Sequence, residues 1–291
     1  MINKIYIVIS IVIVIAVIIL MISTKEKEEK EIPSDNKKSP KKIILDENSK
    51  FKKLLDKFDN SEGLMIPLGF MNEEQPVIIN LEEIKNLLVI GTTGGGKSIC
   101  LNEIIAALAM KYTKEDIKIV TMDTSIVELS SFNGIPHYLK ETICNPKEII
   151  EELENIQVEI QKNTFKDQPL LVILDDYYDI YSYNQKSLDI IENILEASKT
   201  QKIHIILTTD TPTDEILTSR IKELIEGKLY LTLAPGEIND FSFEDELSEE
   251  EKQFLSKIGN LVYKDKDKKI KITIPEITDE EIKSIKESFN N

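Results

Sequence analysis

Short apolar runs alternate along this chain with longer segments whose apolar residues recur every three to four positions. The runs at residues 87–90, 117–122, 170–174, 203–208 and 229–233 are rich in Ile, Leu and Val. Such runs suit strands covered on both faces. Residues 99–110, 146–161 and 187–198 carry the helical spacing expected of crossover connections between parallel strands. The pattern therefore predicts an α/β domain on a mainly parallel sheet. A short amphipathic helix is predicted over 51–58, an edge hairpin over 259–263 and 270–274 around the turn KDKDKK, and a closing helix over 279–289.

The first residues follow a different pattern. Residues 5–24 hold no charge and are mostly Ile and Val, matching the roughly 20 apolar residues a helix needs to cross a bilayer. No small-x-small cleavage site stands behind the run, which favours an anchor over a removed signal peptide. Lys25, Lys27, Lys30, Lys37, Lys38, Lys41 and Lys42 follow the span, whereas only Lys4 and the amino terminus precede it. Positive charge is retained on the inner side, so the expectation is a single-pass protein of the cell membrane with its bulk in the cytoplasm. Residues 25–46 are charged and contain Pro33 and Pro40, the composition of a tether. The expected division is an anchor over 1–24, a charged linker with the short helix over 25–62, and one catalytic-type domain over 63–291.

Composition narrows the chemistry. The chain has 36 Lys and Arg against 52 Asp and Glu, a net charge of −16, which repels polyanions in the absence of a local basic face. Cys100 and Cys144 have no CxxC spacing, and His137 and His204 stand apart from them, so a metal centre of Cys and His is not expected. Arg220 is the sole arginine.

One segment stands out chemically. Gly91-Thr92-Thr93-Gly94-Gly95-Gly96-Lys97-Ser98 fits G-x-x-x-x-G-K-[ST], follows an apolar strand pattern and leads through Ile99 into a helical one. Glycines let the backbone curl until successive N–H groups face phosphate oxygens, and the helix start adds partial positive charge. Residues 91–99 are thus the expected binding segment for ATP with Mg²⁺. Lys97 is expected at the β- and γ-phosphates and the Ser98 hydroxyl on the ion. A second carboxylate is expected at the end of another strand, and Asp175 closes the run PLLVILDD, with Asp176 beside it to orient or deprotonate water. Lys97, Asp175 and Asp176 form the expected catalytic set, and Ser98 with Asp175 the metal set. The run IHIILTTD ends at Asp210, which cannot donate a hydrogen bond when ionised and would repel a terminal phosphate; a plain turn before Pro212 is the competing expectation.

With NLLVIGTTGGGKS, IKIVTMDTSIVELSSFNGIPHYL, PLLVILDDYYDI and KIHIILTTDTPTDEI in that order, the chain resembles the motor domain of the FtsK/SpoIIIE family of membrane-anchored DNA translocases, from about residue 64 to 282. The resemblance implies a RecA-like P-loop ATPase that assembles as a homo-oligomeric ring, usually a hexamer, and drives double-stranded DNA. The net charge of −16 opposes that partner. Gly91, Gly96, Lys97, Ser98 and Asp175 match the family's nucleotide site, and Asp123, Glu128, Leu129, Asn133, Gly134, Pro136 and His137 its second-strand segment. Asp176 replaces a glutamate, Asp210 a glutamine, Thr211 an arginine and Lys228 an arginine. The resemblance shows no winged-helix DNA reader. The departures leave two alternatives beside a DNA motor: a nucleotide-binding subunit of a membrane complex without turnover, and a protein-export ATPase.

Overall fold

The computed structural model describes residues 45–46, 48–58, 63–72, 74–125, 129–233, 247–266 and 268–289. The transmembrane segment expected at 5–24 and most of the tether lie outside the described residues, as do Glu128 and residues 234–246.

Among the described residues the sheet has nine strands: β1 (Met65–Phe70), β2 (Pro76–Asn80), β3 (Leu87–Ile90), β4 (Lys118–Asp123), β5 (Leu170–Asp175), β6 (Ile203–Thr209), β7 (Gly227–Tyr230), β8 (Asn260–Lys264) and β9 (Lys269–Thr273). Their spatial order is β2-β1-β9-β8-β7-β3-β6-β5-β4. From β7 through β4 every neighbour is parallel, and from β7 back to β2 every neighbour is antiparallel. The sheet is therefore mixed, which corrects the mainly parallel expectation. The expected edge hairpin exists as β8 and β9, but it is inside the sheet, because β1 and β2 continue beyond it. Ladder pairing between β9 and β1 is limited to Phe70 opposite Thr273. Most of the outer edge of β9 therefore has no ladder partner among the described residues, and its alternating KIKIT reads like an edge strand. The expected strand at 229–233 is shifted, to Gly227–Tyr230.

Helices cover both faces. On one side lie α1 (Lys50–Lys57), α3 (Lys97–Lys111) and α9 (Asp279–Phe289); the short α2 (Leu81–Ile84) links β2 to β3. On the other lie α4 (Pro146–Gln161), α5 (Tyr177–Tyr183), α6 (Ser187–Ala197), α7 (Ser219–Leu224) and α8 (Glu249–Leu255). Alternate residues of the central strands feed the two cores: Leu87 and Val89 face α3, whereas Leu88 and Ile90 face the opposite layer. This two-sided burial is why β3 and β5 are apolar at nearly every position. Helix α1 inserts Phe51, Leu54 and Leu55 into the core, capped by Ser49, whose hydroxyl accepts from the Lys52 N–H.

The end of the sheet remote from the glycine loop is fixed by a buried polar node. Asn86, fully buried before β3, donates from Nδ2 to Ser198 Oγ at 2.8 Å, and its Oδ1 accepts from the Ile205 N–H at 3.1 Å. One amide thus ties β3 to β6 and to the end of α6, leaving the opposite strand ends to carry the chemistry.

Candidate nucleotide-binding site

The glycine loop leaves β3 between the tips of β6 and β7 and is fastened to both. The Gly91 N–H donates to Thr209 O at 3.2 Å, while the Thr92 N–H and hydroxyl donate to Thr232 O at 3.0 and 3.2 Å. The Gly95 N–H then closes the turn on Thr92 O at 2.8 Å. A Cβ at Gly95 would stand 2.7 Å from Thr232 O and 2.8 Å from Thr92 O, so no side chain fits between the loop and β7. Gly94 and Gly96 take φ values of +72° and +101°, which favour glycine. The space beside Gly94 is open. A bare, curled backbone ahead of the 15-residue α3 is the form that receives phosphate.

Lys97 and the paired aspartates meet across the strand tips. The Lys97 side chain is nearly buried, and its Nζ donates to Gly91 O at 3.1 Å and stands 3.3 Å from Asp176 Oδ1. Asp175, at the end of β5, is 2 % exposed and accepts a short hydrogen bond from the Thr208 hydroxyl. Thr208 Oγ in turn accepts from the Asp176 N–H at 2.9 Å, which locks the order of the two aspartates. Asp176 sits at the start of α5 with φ +49°, a left-handed conformation for a non-glycine residue that turns its carboxylate toward Lys97. Burial pushes the Asp175 carboxyl up to about 7, against the opposing Thr208 hydrogen bond. Burial also raises Asp176, opposed by the charge of Lys97.

Asp210 is not a plain turn residue. Its Oδ2 accepts from Thr93 Oγ of the loop at 2.8 Å, and its Oδ1 from the Thr211 hydroxyl at 2.8 Å. Burial works to raise this carboxyl, but the two hydroxyl bonds and Lys97 together hold it below its ordinary value. Asp210 and the Thr209 and Thr232 carbonyls as loop partners are visible only once β6 and β7 are known to flank β3.

Ser98 and Ile99, in the first turn of α3, are half-buried. Ile99 opens onto a cavity of about 710 Å³ shared with Ile258, Gly259, Ile274 and, from the start of α1, Ser49 and Lys50. Ile258 is exposed and lies beside Gly96, so the cavity adjoins the loop on the side away from the aspartates.

Other candidate residues prove structural. His137 is buried, with Nε2 2.9 Å from Tyr112 O and its ring edge-on to Phe289. His204 is buried against Lys85 O at 2.9 Å. Asp123 takes the Ser125 and Leu129 N–H groups, and Asn133 takes the Thr142 N–H and hydroxyl, so both shape the loops after β4. Arg220 lies 3.8 Å from both Glu192 and Glu196 on the α6–α7 surface. Cys100 and Cys144 are free thiols.

The family model described as FtsK/SpoIIIE family matches residues 55–226, which include the loop, both aspartates and Asp210. The chain belongs to the FtsK/SpoIIIE family. Among its relatives, the DNA translocase FtsK of Staphylococcus aureus is 28% identical over 214 residues, covering 63% of this chain and 27% of the relative. The DNA translocase FtsK of Leptospira interrogans is 29% identical over 256 residues, covering 78% and 27%. The alignments thus span about a quarter of the length of these FtsK relatives. In fold, the chain is similar to the pCW3 conjugation coupling protein TcpA, in a monomer form with ATPγS, at TM-score 0.65 and 14% identity over 79% of this chain and 72% of that one. It is likewise similar to the cytoplasmic domain of the Thermomonospora curvata type VII secretion ATPase EccC, at TM-score 0.60 and 16% identity over 75% and 27%. These likenesses establish an α/β P-loop ATPase fold with a mixed sheet, and membership of the FtsK/SpoIIIE family implies nucleotide binding.

Proposed function

We propose that this chain is a membrane-anchored ATPase of the FtsK/SpoIIIE type that binds Mg²⁺·ATP through residues 91–99, assembles as a homo-oligomeric ring and moves duplex DNA. The observation that carries the reading is the glycine loop fastened between β6 and β7 with Lys97 facing Asp175 and Asp176. Residues 5–24 supply the anchor, and the domain lies on the cytoplasmic side.

The residues present fit the nucleotide. Gly95 leaves no room for a side chain, Gly94 opens to solvent, and α3 begins immediately after the loop. One buried carboxylate and one hydroxyl suit Mg²⁺, which keeps water and phosphate oxygens in its shell. Ser98 and Asp175 would hold the ion, and the N–H groups of the loop together with Lys97 would hold the phosphates. Bound Mg²⁺·ATP would supply the phosphoanhydride, with the ion offsetting part of the triphosphate's negative charge. The cavity beside Ile99 and Ile258, on the side of the loop opposite the aspartates, would receive the sugar and base; Ile99, Ile258 and Ile274 form its apolar wall, and Lys50, Lys257, Glu276 and Glu280 are among the charged residues that line the rest. Asp176 provides the proton-accepting carboxylate, and its engagement by Lys97 at 3.3 Å makes turnover slow, because the base must be freed and held in place to act.

That ion pair also favours a second reading, in which nucleotide binding controls assembly of a membrane complex without hydrolysis. ATPase activity of the full chain in lipid nanodiscs, with and without duplex DNA, separates the two. The motor reading predicts turnover that rises with DNA and falls with salt. Tight ATP binding with no turnover under either condition would leave the second reading standing and remove the first.

A further inference from the structure

We infer that Asp210 sets the nucleotide preference of the loop, placing a fixed negative charge where a triphosphate carries its last phosphate. The inference rests on the loop being the nucleotide site. Strand β6 runs parallel to β3 with Thr209 level with Ile90, so Asp210 stands level with Gly91, the first residue of the loop. Its two carboxylate oxygens are occupied by the Thr93 and Thr211 hydroxyls, each at 2.8 Å, which fix the group against the loop instead of letting it swing into solvent. Both hydrogen bonds are donated to it, the arrangement of an ionised carboxylate.

The local charges are unbalanced. Lys97 meets Asp176 at 3.3 Å and lies within electrostatic reach of Asp210, which also acts on Asp176. One ammonium therefore serves carboxylates from both β5 and β6, with Asp175 behind them. A diphosphate ending at Lys97 meets that ammonium with its last phosphate. A triphosphate adds a further phosphate, and Asp175, the carboxylate assigned to its ion, ends β5 beside β6, so the added charge falls on the side of β5 and β6, where Asp210 is fixed. Two like charges a few ångströms apart near a protein surface repel enough, after screening, to change binding by about tenfold. Asp210 thus narrows or abolishes the advantage a triphosphate has over a diphosphate.

The test is an equilibrium titration of the full chain with Mg²⁺·ADP and with slowly hydrolysed Mg²⁺·ATPγS, comparing the native protein with Asp210→Asn and Asp210→Glu. The asparagine keeps an oxygen for Thr93 but removes the charge; the glutamate keeps the charge. Expected is an ATPγS affinity about tenfold tighter in Asp210→Asn, an ADP affinity changed less than about twofold, a native ratio retained by Asp210→Glu, and a gap between variants that shrinks as salt rises. Equal shifts for both nucleotides, no shift for either, or weaker ATPγS binding in Asp210→Asn would overturn the inference; the last would make Asp210 a holder of the ion. Failure of the underlying reading looks different: the native chain binds neither nucleotide, or Lys97→Ala leaves both affinities unchanged.

Discussion

The two sides of β3 present different chemistry to the same loop. Toward β4 the strands are parallel, and the tips of β5 and β6 bring Asp175, Asp176 and Asp210 to Lys97 and Thr93. Toward β2 they are antiparallel beyond β7, and the turns around β8 and β9 bring Ile258, Gly259 and Ile274 to a cavity beside Ile99. Parallel strands all end at the same edge, so their terminal residues converge; antiparallel strands offer turns and apolar walls there instead. The loop at the seam is therefore flanked by converging carboxylates on one side and by an open cavity on the other, where Ile99, Ile258 and Ile274 form a wall among charged residues such as Lys50, Lys257 and Glu280.

The largest expected effect comes from the group at the seam. Lys97→Ala removes the cation that pairs with Asp176 among the described residues, and Mg²⁺·ATP affinity measured by calorimetry should fall on the order of a hundredfold or more, because a point charge on two phosphates is lost and an aspartate is left unopposed. If affinity changes less than about threefold, the charged side is not the phosphate side.

Asp175→Asn probes that side through stability. With burial raising its carboxyl from 3.8 to about 7, the folded chain retains a proton through a window in which the unfolded chain has lost it. Stability of the nucleotide-free, Mg²⁺-free protein therefore falls as pH rises from about 4 to 7. The variant should be more stable than the native chain at pH 8, on the order of 3 kcal/mol in denaturant titrations, and the two should converge near pH 4. Equal stability offsets at both pH values would refute the assignment.

Gly95→Ala acts on the seam itself. The new methyl meets two carbonyl oxygens under 3 Å away, so the loop must detach from Thr232 or Thr92, and nucleotide affinity should fall about tenfold with the melting temperature little changed. Ile258→Asp tests the apolar side and should have the smallest effect, weakening adenine nucleotides about fivefold while leaving tripolyphosphate binding intact. Ile258 is already 57% exposed, so the fold should tolerate the change. Loss of both ligands to the same degree would argue against a base in the cavity.

The same asymmetry governs how much the sequence discloses. The inner parallel strands β3 and β5 are buried on both faces, so their apolar runs mark them to within a residue, and the GTTGGGKS spacing places the loop between β3 and α3. In the antiparallel half, β1 contains Pro67 and Gly69 and slips register between them, and β2 is short and alternates, so neither announces itself. The hairpin of β8 and β9 is legible as a hairpin, but its position inside the sheet depends on β1 and β2. At the site, Lys97, Ser98 and Asp175 follow from local spacing. The Thr93–Asp210 bond spans 117 residues and depends on β6 lying next to β3, a neighbour relation that no local pattern encodes.

The orientation of the nucleotide across the seam is tested most directly by photocrosslinking. The full chain would be irradiated with 8-azido-ATP and Mg²⁺, and the labelled peptides mapped by mass spectrometry. Labelling at residues 257–259, 274–278 or 46–50, suppressed by excess ATP, is the result predicted by a base in the cavity and phosphates on the loop. Competable labelling confined to residues 176–184 or 210–215, on the side of the aspartates, would contradict it.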